Sequence, residues 1–271
     1  MTATALTRNR QQVPPANFTS AVQIGGWSKV MLAVAAVMGM LAFAWPLFLR
    51  PGATLTASTL SPIVLAALLP MVLGVVVVQM AQHELDVKGL ALLGVLTAMG
   101  AVLRPLGAGT AGFETVFFLV IIAGRVFGPG FGFVLGNTTL FASALVVGAV
   151  GPWLPHQMLA TGFTGLVAGL LPRLGGRAEI VLLAGYGALS GFVFGTLMDF
   201  SFWPFAVGTG GQGFDPEVGP RENLRRFLVM ELVTGLGWNA GRAITNVVLI
   251  TLLGPPVLRV LRRAARRARF E

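Results

Sequence analysis

The chain has 271 residues, 55% of them hydrophobic and only 11% charged, with a net charge of +9 and no cysteine. So few charges argue against a water-soluble domain of this length, and the missing thiols exclude a disulfide framework and thiolate metal or redox chemistry. The positive balance does not point to nucleic acid. Six arginines (Arg259, Arg262, Arg263, Arg266, Arg267, Arg269) crowd the last thirteen residues behind an apolar run, where such clusters fix orientation and meet anionic lipid headgroups.

In chain order, residues 1–28 are polar, carry Pro14-Pro15, and read as a flexible cytoplasmic leader. Apolar runs then predict membrane spans at 30–49, 62–81, 89–105, 114–127, 131–150, 157–172, 179–203 and 228–254. Several are near the roughly 20 residues that cross a bilayer; 114–127 and 157–172 are short. The first run follows a polar leader and precedes no clear cleavage site, so it reads as a retained span. The break at His83-Glu84-Leu85-Asp86-Val87-Lys88 sets two spans apart from a core of six. Those acidic and imidazole groups lack a second ligand set and read as an interfacial linker, not a metal site. The expected organisation is a leader (1–28), two extra N-terminal spans (29–87), a six-span core (88–258) and a basic cytoplasmic tail (259–271).

Eight spans place both termini on one side. On that side fall 13 Lys and Arg against 5 on the other, with Arg242 inside a span. The positive-inside rule therefore predicts cytoplasmic termini in the cell membrane. The outer loop 204–227, with Gly208, Gly210, Gly211 and Gly213, reads either as a mobile lid or as a connector.

Polar side chains inside spans are scarce and expensive, so each is a candidate. In the last span Glu231, Gly235, Trp238, Arg242 and Asn246 fall on one helical stripe, with Asn239 and Thr245 at its margins. Glu231 and Arg242 stand about 16 Å apart along a helix, too far to pair. Either Glu231 and Trp238 line an outward cavity, or the stripe serves packing and Arg242 pairs with another helix. Asp199 and Trp203 end the preceding span, and Trp153, His156 and Gln157 form a turn at the same face. Aromatic and hydrogen-bonding groups converging at one mouth suit a small solute. The expected substrate-binding set is therefore Trp153, His156, Gln157, Asp199, Trp203, Glu231, Trp238 and Asn239. Arg104 and Glu114 flank a glycine-rich outer loop and are expected to pair with each other, or to close over a ligand. Gly128-Pro129-Gly130-Phe131-Gly132 lacks the βαβ context of a dinucleotide loop and reads as a tight turn. Gly132-x-x-x-Gly136 and Gly94-x-x-x-Ala98 are small-residue strips, for close packing within the chain or for docking a partner.

These features in this order resemble the membrane S component, the substrate-binding subunit, of energy-coupling factor (ECF) transporters. The resemblance spans residues 88–260. Phe127 to Gly136, Gly151-Pro152-Trp153-Leu154-Pro155-His156-Gln157-Met158, Gly162 to Leu170, Arg242 to Asn246 and Gly254 to Leu258 carry it. The Gly-Pro-Trp-x-Pro-x-Gln-Met turn is the specific part and is similar to a cobalamin-type subgroup, in which His156 often has an aromatic counterpart. The resemblance implies an all-α, polytopic membrane helical bundle with a six-helix core that takes one vitamin-like molecule from outside, cobalamin being the first guess. It implies no cofactor. Its implied partners are membrane lipid, a transmembrane coupling subunit and two ATPase subunits, docked through small-residue strips such as Gly94/Ala98 and Gly132/Gly136. The two N-terminal spans lie outside it. The competing expectation is an intramembrane enzyme with Glu231, Asp199 and His156 as an acid/base cluster on a lipid-linked substrate; no nucleophile–base spacing supports it.

Overall fold

The computed structural model describes residues 25–48, 57–82, 87–107, 110–205, 211–215 and 217–268. Among them there is no strand. The helices are α1 (Gly26–Ala44), α2 (Ala57–Ala81), α3 (Val87–Leu103), α4 (Val116–Phe127), α5 (Pro129–Val147), α6 (Leu154–Leu170), α7 (Gly176–Phe202), α8 (Pro220–Met230) and α9 (Leu236–Ala268), with a π turn over Glu231–Gly235. The chain is a polytopic membrane bundle. Five segments are long and apolar enough to cross a bilayer: Gly26–Leu47, Val87–Leu106, Pro129–Val147, Gly176–Phe205 and Pro220–Arg266. His83, Glu84, Asp86, Gly109, Gly208, Gly210 and Arg269 lie outside the described residues.

The short fourth helix has a physical reason. All twelve residues of α4 are buried, so it is sheathed by other helices and need not match the thickness of the hydrocarbon. Around it the chain runs up and down between two ends. One end, the rim, carries the α3–α4 loop, the α5–α6 turn and the α7–α8 segment. The other, the tail end, carries the α4–α5 turn, the α6–α7 turn and the end of α9.

Glycines hold the centre together. In lipid, apolar side chains gain little by leaving acyl tails for a neighbouring helix, so backbones must approach closely to gain dispersion contacts. At the crossing of α4, α5 and α6, a Cβ on Gly124 or on Gly132 would strike the Gly165 carbonyl. One turn along, Gly136 abuts the backbone at Thr161–Gly162, and Gly169 abuts Gly128–Pro129. Gly132 and Gly136, expected as a possible docking strip, are therefore used up inside the molecule by α6. Gly94 has open space before it and Ala98 is exposed, so that strip faces outward from α3.

The tail end is closed by charge. Arg125, 2% exposed, donates from Nε to Glu179 Oε1 at 2.7 Å and from NH1 to the Leu171 carbonyl at 2.9 Å. Arg262 NH2 reaches the same Glu179 oxygen at 2.6 Å. One carboxylate thus joins α4, the end of α6, α7 and α9. This clamp also explains a departure from the expected span 228–254 and separate tail: α9 runs on through Pro255-Pro256 to Ala268. Two prolines remove two backbone donors, but Leu258, Leu261 and Ala265 are buried and Arg262 pins the extension.

The N-terminal pair is docked, not loosely appended. Trp45 Nε1 donates to the Ser201 carbonyl at 3.1 Å. Gly39 sits against the Phe163 ring, and Gly130 against the buried Gln79 side chain. The helix crossing yields a contrast of variants. Gly132→Leu lowers stability in detergent by at least the roughly 1–3 kcal/mol of an overpacked core, seen as a sharp drop in the midpoint of thermal unfolding. Gly94→Leu leaves stability within about 0.5 kcal/mol, read by size-exclusion after heating.

Candidate functional site

At the rim, a cavity of about 160 Å³ lies between α3, α4, α5, α6 and α7. Its apolar walls are Val116, Phe117, Leu140 and Phe194, and its polar groups are Arg104, Glu114 and Gln157. Phe117 and Phe194 meet edge to face, with ring centroids 4.7 Å apart. Arg104 follows the last turn of α3 and donates from NH2 to Gln157 Oε1 on α6 at 2.8 Å. The expected Arg104–Glu114 pair is not formed. Glu114 instead accepts from Arg242 Nε on α9 at 2.9 Å. Arg242 reaches across α7 to make that bond, its guanidinium 5.4 Å from the Phe194 ring centre.

From Arg242 a polar chain runs towards the rim. Its NH1 donates to Asn239 Oδ1 at 2.6 Å, and Asn239 Nδ2 donates to Glu231 Oε1 at 2.8 Å. Thr196 on α7 donates to the same Glu231 oxygen at 2.7 Å. Gly235 lies beside both Glu231 Oε2 and Asp199 Oδ2, so the two carboxyl groups meet there. Glu231 and Arg242 are linked through Asn239, although they are too far apart to pair directly. Glycines make the chain possible: a Cβ on Gly195 would collide with Asn239 and Arg242, and one on Gly235 with Glu231.

The π turn decides which side chains face this network. Its i→i+5 bond, from the Leu236 N–H to the Glu231 carbonyl, adds about one residue to that turn. Everything beyond it is set back by about 100° relative to a regular helix. Asn239, 1% exposed, therefore stands under Glu231, while Trp238, 44% exposed, is turned outward. An even α-helical stripe put Trp238 inside, and this is the correction to it. The α3–α4 loop lies on the same stretch of α9. Gly112, at φ +78°, abuts the Trp238 carbonyl, and Gly241 abuts the Ala111 carbonyl. Ala111 itself has φ +46°, a strained value for a residue with a side chain.

The other expected residues are spread over the rim. Gln157 lines the cavity. Asp199, Glu231 and Asn239 belong to the adjoining network. His156, 4% exposed, has turned away from it. Its Nε2 is 3.1 Å from the Ala42 carbonyl of α1, and its ring lies between Phe43 and Phe202. Trp153 stacks over Gly151 and remains half exposed. Trp203 is buried with Phe227 and Met230 against Phe200 and Phe214, and its Nε1 donates to the Gln212 carbonyl. It is the core under the rim segment, so part of the expected open loop 204–227 is folded: residues 211–215 cover Trp203, and Asn223 of α8 bonds Asp215 through both its backbone N–H and its carbonyl. The sequence set omitted Arg104, Glu114, Arg242 and Thr196. The first three carried a signal, being charges in or beside apolar spans; Thr196 carried none.

Residues 88–254 match the family described as ECF transporter, substrate-specific component. The chain belongs to that family. No curated protein and no solved structure matches the chain. Every cavity-lining residue and every link of the polar chain falls within the matched stretch, whereas α1 and α2 precede it. The S-component family is one of transporter binding subunits, not of enzymes.

The Glu114–Arg242 pair is well shielded, with side chains 23% and 14% exposed. Removing one partner strands the other charge, so Arg242→Ala and Glu114→Ala each destabilise by about 2–4 kcal/mol. The double variant loses about 1–3 kcal/mol less than the sum. A double-mutant cycle from denaturant unfolding in detergent measures this; strict additivity removes the pair from the structure's energetics.

Proposed function

We propose that this subunit captures a small, vitamin-like solute in the rim cavity, from the outer face of the cell membrane, and hands it inward. The handover requires a transmembrane coupling subunit and two ATPase subunits, as the family implies. The observation that carries this reading is the cavity itself: a partly open space with two aromatic walls and three converging polar groups, at the end of the bundle opposite the arginine-rich tail. With both termini cytoplasmic, as the Lys/Arg balance supports, that end faces outward.

Access is through the rim. The α3–α4 loop lies across α9, held by Glu114–Arg242 and by the glycine contacts at Gly112 and Gly241. Opening means lifting that loop, and the positive φ at Ala111 and Gly112 marks where its backbone bends. A solute selects between open and closed rims only by what it touches in each. Release on the inner side needs a second state in which those contacts weaken, and the free energy for it comes from the ATP-driven partner. The exposed Gly94/Ala98 strip of α3 is a smooth face on which such a partner fits.

A corrinoid is far wider than a cavity of about 160 Å³. Cobalamin, the first guess from the Trp153–Met158 turn, therefore requires a much more open rim than the one seen. The enzyme reading needs Asp199, Glu231 and His156 in one cluster, but His156 is packed against α1.

Two variants separate binding from delivery. Gln157→Ala weakens solute binding by purified protein about tenfold, the loss of one charge-assisted hydrogen bond, while Gly94→Leu leaves binding unchanged and abolishes uptake in cells with the complete transporter. Unaltered affinity in Gln157→Ala removes the cavity as the solute site, and lost binding in Gly94→Leu makes the α3 strip an internal contact.

A further inference from the structure

The cavity has a cation that no described carboxylate bonds directly. Glu114 lines it, but that carboxylate is bonded to Arg242. Arg242 in turn stands between the cavity and the Asp199–Glu231 carboxyl groups, joined to them through Asn239. Arg104 has no equivalent. Its bond is to Gln157 Oε1, a neutral amide oxygen, at 2.8 Å, and it makes no ion pair with a described carboxylate. A guanidinium presents five N–H donors in a planar fork. One amide oxygen satisfies one of them and supplies no charge. At the Arg104 end, then, the cavity presents a cation with open donor positions, on which the Glu114 carboxylate acts through space without an ion pair.

The other end has a defined size and surface. Phe117 and Phe194 form an edge-to-face corner, completed by Val116 and Leu140. The volume, about 160 Å³, is close to the roughly 150 Å³ of an apolar cavity that accepts benzene. One six-membered ring fills it, and a larger solute extends beyond its walls.

We infer that the solute is a single-ring carboxylate, its ring against Phe117 and Phe194 and its carboxylate on Arg104. The inference rests on the reading of the cavity as the solute site and adds the chemical class to it. The carboxylate supplies both oxygens that a guanidinium fork takes in parallel. It also supplies the direct ion pair that Glu114, bonded to Arg242, does not make with Arg104. Gln157, by holding Arg104 NH2, fixes the plane of the fork. The corresponding amide of the same ring matches the shape but offers one acceptor and no charge. A site built around the acid rejects that amide.

The test uses the full chain in lipid nanodiscs and two matched pairs of probes: benzoate with benzamide, and pyridine-3-carboxylate with pyridine-3-carboxamide. Cyanocobalamin is the fifth probe. Calorimetric titration of the wild type is expected to show an acid binding at least about 30-fold more tightly than its amide, the size of one strong charge-assisted interaction. Arg104→Gln is expected to erase that ratio, and Arg104→Lys to keep part of it. The wild-type ratio alone decides the matter if Arg104→Gln fails to fold. Equal affinity for acid and amide overturns the inference and leaves the cavity as a ring-binding site. Binding of cyanocobalamin without either acid overturns it too, while the carrier reading stands. Binding of none of the five overturns the inference and the cavity's role together.

Discussion

In hydrocarbon a helix gains little by exchanging lipid for another apolar surface. What distinguishes this bundle from separate spans is therefore the close approach of backbones at Gly124, Gly132 and Gly165. That crossing places the centre of α4 where no lipid reaches it, and α4 is buried along its whole length as a result. A buried α4 gives the rim a rigid floor. Val116 and Phe117 in its first turn are walls of the cavity, and Glu114 just before it is the anchor for Arg242. Were the α4–α5–α6 crossing opened by one methyl group, floor and anchor would both shift.

The charges follow from the same geometry. An ion in a spanning helix is tolerated when it is paired, hydrogen-bonded or open to water. The tail end solves this with a single carboxylate, Glu179, shared by the buried Arg125 and the partly exposed Arg262. The rim solves it differently. Its groups are strung in sequence from Arg104 and Gln157, past Glu114 and Arg242, to Asn239, Glu231 and Asp199. These links tie the loop between α3 and α4, helix α7 and helix α9 together, beside the close glycine contacts of Gly112 and Gly241 with the loop and of Gly187 and Gly191 between α7 and α9. Such contacts exchange for water or solute at little net loss, whereas the glycine crossing below has no such substitute. On the proposed reading, the rim is accordingly the part of the molecule that opens while the floor stays shut.

How much of this was legible in the sequence depends on the residue. Spans were readable, because runs near 20 apolar residues have few other uses, and the shared end of Gln157, Asp199 and Glu231 follows from counting crossings. The inward face of the last helix was not. Trp238 and Asn239 are neighbours, and a single π turn exchanged their roles; nothing in Glu231-Leu232-Val233-Thr234-Gly235 announces the extra residue. Partner choice was also hidden. Arg104 and Glu114 stand close in sequence and invited a local pair, but the real partner of Glu114 is 128 residues away, a tertiary fact without a periodic signature. Small-residue strips had two readings, and only the position of α6 separates Gly132/Gly136, which are enclosed, from Gly94/Ala98, which are open.

The N-terminal pair adds a constraint that the matched stretch 88–254 does not contain. Helix α1 touches the rim at two points, the Ala42 carbonyl with His156 and the Trp45 indole with the Ser201 carbonyl. Trp45 also stacks on Phe205, at 5.3 Å between ring centres. His156 is the residue before Gln157, and Ser201 is two residues after Asp199. The pair thus holds the α6 side and the α7 side of the rim to one scaffold, while among the described residues the α3–α4 loop and α9 make no such hydrogen bond to it. An opening motion meets least resistance where that bracing ends. It separates the Gly112 and Gly241 contacts and the Glu114–Arg242 bond, and it leaves Gln157 and its hold on Arg104 in place. On the proposed reading, the aromatic walls on α4 and on the braced α7 stay with Gln157, and the part that moves is the loop that carries Glu114.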